Sequence, residues 1–170
     1  YVPLLMMIDE LKDSHIKITL GITPVLAEQL RDDYFKERFV RFANDKIKRA
    51  EADANRFARL REFNFQSVAK LYKSIFEKRL SYYEKISGDL IGRFSKLQKE
   101  KRIEIMTSAA THGYLPLLSR DSSIYSQMKT GIDRYKKYFE REPEGFWLPE
   151  CAYRPAYVDD DGTVQLELPL

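Results

Sequence analysis

Ile103-Glu104-Ile105-Met106-Thr107-Ser108, then a face at Ile124, Met128, Ile132 and Tyr135, then Gly145-Phe146-Trp147-Leu148: this stretch decides the fold. Apolar residues at alternate positions in the first segment predict a strand. Spacings of four, four and three put the next four residues on one side of a helix. Asp121 or Ser122 can cap that helix, and Pro143-Glu144-Gly145 stops it. Gly145 to Leu148 reads as another strand. Strand, helix and strand in succession make a βαβ unit, which requires parallel strands and a right-handed crossover. The class is therefore α/β.

Upstream, Ile16, Ile18, Leu20 and Ile22 alternate with Lys17, Thr19 and Gly21, predicting a strand that ends at Thr23-Pro24. A helix from Tyr1 to about Lys12 precedes it, and Pro24, suited to a first helical position, opens a short one through Leu30. From Asp33 to Lys99 there is no proline and only two glycines. Apolar residues there recur at helical spacing, with one stripe beginning at Phe35, Phe39 and Phe42, another at Val68, Leu71 and Ile75, and a third at Ile86, Leu90, Phe94 and Leu97. Breaks are expected near Phe63-Asn64-Phe65 and at Ser87-Gly88-Asp89, where Asp89 can cap a new helix. Ala109 to Ser119 is a proline-containing loop. Asp159-Asp160-Asp161-Gly162 reads as a turn, and the last eight residues as either an edge strand or a frayed end.

The 44% hydrophobic content over 170 residues fits a folded domain with a core. The 29 basic and 26 acidic residues are mixed along the chain, so the net charge of +3 supplies no strong field for a polyanion, and nucleic acid is not an expected partner. The basic stretch Lys46, Lys48, Arg49, Arg56, Arg59 and Arg61 is interrupted by Glu51 and Asp53, as on a solvated helix face. No apolar run approaches a membrane span, and no basic leader with a cleavage site is seen. Cys151 is the only cysteine, so no intrachain disulfide is possible; the cytoplasm is the default compartment. The chain opens at Tyr1 inside the run Tyr1-Val2-Pro3-Leu4-Leu5-Met6-Met7-Ile8, as if cut within an element.

In parallel α/β folds, chemistry gathers where the strands end at their carboxyl side. Two segments sit there: Thr111-His112-Gly113-Tyr114-Leu115-Pro116 after the strand at 103–108, and Trp147-Leu148-Pro149-Glu150-Cys151-Ala152-Tyr153 at the end of the next. Successive parallel strands are often neighbours, which allows His112 and Glu150 to face one cleft. Each also has a plainer explanation. A lone histidine after a strand is commonly a hydrogen-bonded loop residue. Glu150 stands among apolar neighbours and is costly to bury without a partner or a purpose; an ion pair with Arg154 would supply the partner. Trp147 is read first as a core residue. Two histidines and one cysteine at wide separations give no metal-ligand spacing.

Both segments resemble signature regions of glycoside hydrolase family 57. Ala110 to Leu118 is similar to that family's histidine region, and Trp147-Leu148-Pro149-Glu150-Cys151-Ala152-Tyr153-Arg154-Pro155 to its nucleophile region. The spacing from His112 to Glu150 suits the family's branching-enzyme group, and Tyr1 to Leu5 and Leu20 to Leu30 are similar to further segments of the same enzymes. The resemblance implies a partial (β/α)7 barrel with parallel strands and a large helical insertion. Residues 1–32 would be one barrel segment, 33–100 the insertion, 101–157 a second barrel segment with both motifs, and 158–170 a truncated tail.

By the same resemblance, the activity is that of a retaining α-glucan-processing enzyme, a 1,4-α-glucan branching enzyme above all, with no metal or organic cofactor. Glu150 is the implied nucleophile. His112 would donate hydrogen bonds to the sugar in the cleaving subsite, Trp147 would line it, and Cys151 would pack behind Glu150. A retaining mechanism needs a second carboxyl group about 5 Å from the first, and the sequence offers no match for it. The family's acid/base aspartate lies further downstream, so the chain is expected to need the remainder of a catalytic chain as its partner and to be inactive alone. Members that act as α-amylases or 4-α-glucanotransferases share the machinery. Outside the enzyme class stands a non-catalytic module in which residues 33–99 dock a partner as a helical hairpin.

Overall fold

The computed structural model of the chain describes residues 1–153 and 155–165. Helix α1 spans Val2–Glu10, strand β1 Ile18–Gly21, α2 Pro24–Arg31, α3 Asp33–Arg59, α4 Phe63–Lys85 and α5 Leu90–Lys99. They are followed by β2 (Ile103–Ser108), α6 (Asp121–Phe139), β3 (Phe146–Trp147), β4 (Tyr157–Val158) and β5 (Val164–Gln165), with single 3-10 turns at Leu115–Leu117 and Pro149–Cys151. Packing divides the chain into two units, one of Tyr1–His15 with Gln29–Phe94, the other of Ile16–Glu28 with Ser95–Leu170.

In the first unit, α3 and α4 form an antiparallel hairpin, pairing the rings of Phe39 with Tyr83, Phe42 with Phe76 and Phe57 with Phe65. The Asp32 carboxylate caps α3, accepting from the Phe35 amide at 2.9 Å. The α3 surface that faces α4 is built on buried Ala43, Ala50 and Ala54. These small residues leave room for rings, so α4 turns the row Ala69, Phe76 and Tyr83, spaced by seven, toward its partner. Of the expected stripe Val68, Leu71 and Ile75, Leu71 is exposed, Ile75 is half-buried, and Val68, though half-exposed, lines the groove beside Ala50 and Phe57 of α3. The break between the helices falls at 60–62, just before Phe63-Asn64-Phe65. At the second break Asp89 caps as expected, accepting from the Gly92 amide at 2.9 Å. The basic stretch on α3 is a solvated face, with Arg49 paired to Asp45 and Arg56 to Asp53.

Helix α1 packs on α4 and carries a part-buried carboxylate, Asp9. Arg93 pairs with it through two guanidinium nitrogens, and the Tyr82 hydroxyl donates to it at 2.6 Å. A half-buried carboxylate is tolerable only with such partners. Burial, reinforced by the hydrogen bond to Asp9, pushes the Tyr82 phenol up to about 12.

The second unit holds a parallel sheet in the order β1-β2-β3, with Ile18 beside Ile103, Leu20 beside Ile105, Thr107 beside Phe146 and Ser108 beside Trp147. Strand β2 is central, and Ile103, Ile105, Thr107 and Ser108 are buried. Helix α6 connects β2 to β3, completing the βαβ unit. It begins at Asp121 with Arg120 in the capping position and no side-chain cap bond, so neither Asp121 nor Ser122 caps it; the acidic Asp121 instead sits in the first turn, where the helix dipole favours it. Tyr135 of α6 donates to the Ile105 carbonyl at 2.9 Å and accepts from Gln98 at 2.6 Å. Gly131 brings α6 against the end of β2: an added Cβ would lie 2.1 Å from the Ser108 carbonyl oxygen. Asp159 to Gly162 is the expected turn, joining β4 to antiparallel β5. That pairing makes 164–165 an edge strand, while 166–170 lie outside the described residues.

Candidate active site

The site stands where β2 and β3 end. The chain leaves Ser108 through Ala109 to Thr111, a segment tied to α6 because the Ala110 amide donates to the Gln127 carbonyl and the Thr111 amide to the Gln127 side chain, each at 3.0 Å. His112 then turns back, its own amide donating to the Ala109 carbonyl at 3.1 Å. Beneath this turn Ala109, Leu115 and Ile124 form a buried cluster, with Leu118, Met128, Phe146 and Leu148 packed against it. Leu148 and Phe146 anchor the neighbouring strand end in the same apolar layer.

After Leu148 the buried Pro149 pins the chain, and Glu150 and Cys151 follow in the left-handed backbone region, with φ of 57° and 54°. His112 is left-handed too, at φ 58°. The other described non-glycine residues with positive φ, Arg61, Ser87, Lys101 and Glu140, each terminate a helix, where that conformation is a routine cap. His112, Glu150 and Cys151 end no α-helix, yet all three gather at one place. Left-handed residues with a Cβ cost on the order of 1 kcal/mol each. Such strain persists where surrounding structure holds it, and it is concentrated at functional sites.

The result is that the imidazole and the carboxylate face each other, His112 Nε2 lying 3.7 Å from Glu150 Oε1. That is ion-pair range, just beyond a direct hydrogen bond. The Glu150 side chain is 71% exposed and that of His112 38% exposed, so a ligand can reach both. Glu150 is therefore not the buried carboxylate its apolar neighbours suggested: Pro149 takes the buried position and the left-handed turn sends the next side chain outward. Arg154, the alternative partner for Glu150, lies outside the described residues. Cys151 does not pack behind Glu150 but is exposed, since it shares the same left-handed turn.

Trp147 is 43% exposed, which removes the reading of it as a core tryptophan. Its backbone belongs to the site: the Ser108 hydroxyl donates to the Trp147 carbonyl at 2.8 Å and lies 3.3 Å from His112 Nδ1. Sequence reasoning passed over Ser108 and Gln127. Ser108 is legible only as the last residue of a strand, and nothing marks Gln127, whose contacts arise from α6 folding back beside the loop. Among the described residues no group of three or more His, Cys, Asp or Glu could hold a metal ion, and no described helix is long and apolar enough to cross a membrane.

The profile of glycosyl hydrolase family 57 matches residues 1–159. A 1,4-α-glucan branching enzyme of Thermococcus kodakarensis is 45% identical over 159 residues, which cover 92% of this chain and 23% of the relative. Its crystal structure, in complex with glucose, superposes with a TM-score of 0.84 over 98% of this chain and 30% of that one, at 40% identity. A family 57-type branching enzyme of Pyrococcus horikoshii gives a TM-score of 0.86 at 41% identity, over 99% of this chain and 32% of that chain. The α-amylase AmyC of Thermotoga maritima gives 0.83 at 32% identity, over 94% and 30%. The chain thus spans from 23% to 32% of the length of these relatives.

Proposed function

The chain belongs to glycosyl hydrolase family 57, and from that premise we propose that it is the part of a retaining 1,4-α-glucan branching enzyme that carries the nucleophile, Glu150. The observation that supports this best is the accessible carboxylate of Glu150 held opposite the His112 imidazole at 3.7 Å by a strained strand-end turn.

In this proposal a carboxylate oxygen of Glu150 attacks the anomeric carbon of an α-1,4-linked glucan, and the bond to the leaving oxygen breaks. The leaving oxygen takes a proton from a second carboxyl group, which then removes the proton of the accepting 6-hydroxyl as that oxygen displaces Glu150. That second group is assigned to sequence that the relatives carry beyond the matched quarter of their length, so the 170 residues alone would be inactive. His112 meets a hydroxyl of the sugar in the cleaving subsite through Nε2, and the exposed face of Trp147 stacks on a ring. The three parallel strands are taken as part of a (β/α)7 barrel, with residues 33–100 inserted between barrel segments 1–32 and 101–157, and 158–170 as a tail.

The likeness to an α-amylase at a TM-score of 0.83 favours a second outcome, in which water rather than a sugar hydroxyl accepts the chain. Incubating the full-length protein with amylose separates the two: a branching enzyme accumulates α-1,6 linkages, whereas an amylase releases reducing ends without them. Glu150→Gln should lower turnover by about three orders of magnitude or more in either case. Unchanged turnover in that variant would remove Glu150 from the chemistry.

A further inference from the structure

We propose that Ser108 is a positioning residue that fixes which nitrogen of His112 carries the proton, leaving Nε2 as a hydrogen-bond acceptor toward the ligand whenever the ring is neutral. The hydroxyl of Ser108 has one proton. A carbonyl oxygen can only accept, so the 2.8 Å bond to the Trp147 carbonyl commits that proton. The remaining contact, 3.3 Å from Ser108 Oγ to His112 Nδ1, then has an oxygen lone pair on the serine side and needs the N–H on the ring side. Nδ1 is the protonated nitrogen, and Nε2, 3.7 Å from Glu150, presents a lone pair.

Ser108 is suited to this task because its surroundings enclose it. It is 2% exposed, ends the central strand, and its carbonyl lies where the Cβ of any other residue at Gly131 would collide with it. Its hydroxyl links the ends of two adjacent parallel strands, so the histidine's ring is referenced to the strand that leads to Glu150. Second partners of this kind set the tautomer and the orientation of functional imidazoles. Two consequences follow for the site. A neutral His112 cannot donate to an ionised Glu150, so the pair attracts only when the ring is protonated. A sugar hydroxyl entering between them donates to Nε2 and can do so while its own oxygen accepts from elsewhere. The direction of the His112 bond is thus opposite to the donor role expected of it from sequence.

The tautomer stands independently of the proposed glucan chemistry; its effect on turnover rests on that reading. The test is the long-range proton–nitrogen NMR spectrum of the His112 ring in the full-length protein, recorded at a pH where the ring is neutral, for wild type, Ser108→Ala and Ser108→Thr. Wild type should show the Nδ1–H form. Ser108→Ala, smaller than serine and able to fill the same buried site, should lose that preference, and Ser108→Thr, which keeps the hydroxyl, should retain it. Turnover on amylose should fall about three- to tenfold in Ser108→Ala, as for loss of one hydrogen bond. KM should change less than kcat. An Nε2–H ring in wild type, or an unchanged spectrum in Ser108→Ala, overturns the proposal. Indifference of turnover to Glu150→Gln would instead overturn the glucan chemistry and leave the tautomer result standing.

Discussion

Gly131→Ala tests whether the α6 backbone rests on the end of β2, and two effects of opposite sign make the outcome informative. Gly131 is an interior residue of α6, where alanine is favoured over glycine by about 1 kcal/mol. On propensity alone the variant would be more stable. Against this, the new Cβ would lie 2.1 Å from the Ser108 carbonyl oxygen, whereas real Cβ atoms keep at least 3.0 Å, and its obstacle is backbone rather than a movable side chain. Helix or strand must withdraw. Overpacking of this kind costs about 2 kcal/mol, and the 3.0 Å bond from the Thr107 hydroxyl to the Gly131 carbonyl is strained with it, at about 1 kcal/mol. The net expectation is a loss of about 2 kcal/mol, which lowers Tm by roughly 4–8 °C in a protein of this size. Thermal unfolding followed by circular dichroism gives the sign. Hydrogen exchange at the Ala110 amide, which donates to the Gln127 carbonyl of the same helix, locates the effect and should quicken. A variant as stable as wild type, with the Ala110 amide equally protected, would refute the close approach.

The Tyr82 phenol, raised from 10.0 to about 12, holds its proton more tightly folded than unfolded. Its contribution is therefore complete below pH 10 and is lost as pH rises through about 12. Tyr82→Phe should cost about 1–2 kcal/mol at neutral pH and blunt the alkaline loss between pH 10 and 12, although Tyr83, also pushed up by burial, keeps part of it; identical alkaline titrations of stability would count against the Tyr82–Asp9 bond. Tyr135→Phe should cost about 2 kcal/mol by leaving the buried Gln98 amide unpaired. Adding Gln98→Leu should restore most of that in denaturant unfolding, and strict additivity of the two losses would speak against their contact.

Much was legible in the sequence because it rests on local periodicity and on residue types with strong backbone preferences. The alternation at 103–108 marked β2, the face at Ile124, Met128, Ile132 and Tyr135 marked α6, and Asp89 marked a helix start. The order of these elements dictated parallel strands, and strand polarity in turn pointed to His112 and Glu150 at one end of the sheet. What no local pattern contains is how far apart two chain segments come to rest. The side of α4 that meets α3 depended on the small alanines of the opposite helix, which admit the rings of Phe76 and Tyr83 and leave Leu71 exposed. The exposure of Glu150 and Cys151 followed from a left-handed turn behind a buried proline. The part of Ser108 depended on a hydroxyl having one proton and two neighbours, one of them 39 residues away. Periodicity and polarity are properties of the chain, whereas distances, tautomers and exposure are properties of its packing, and at this site the packing decides which atoms meet.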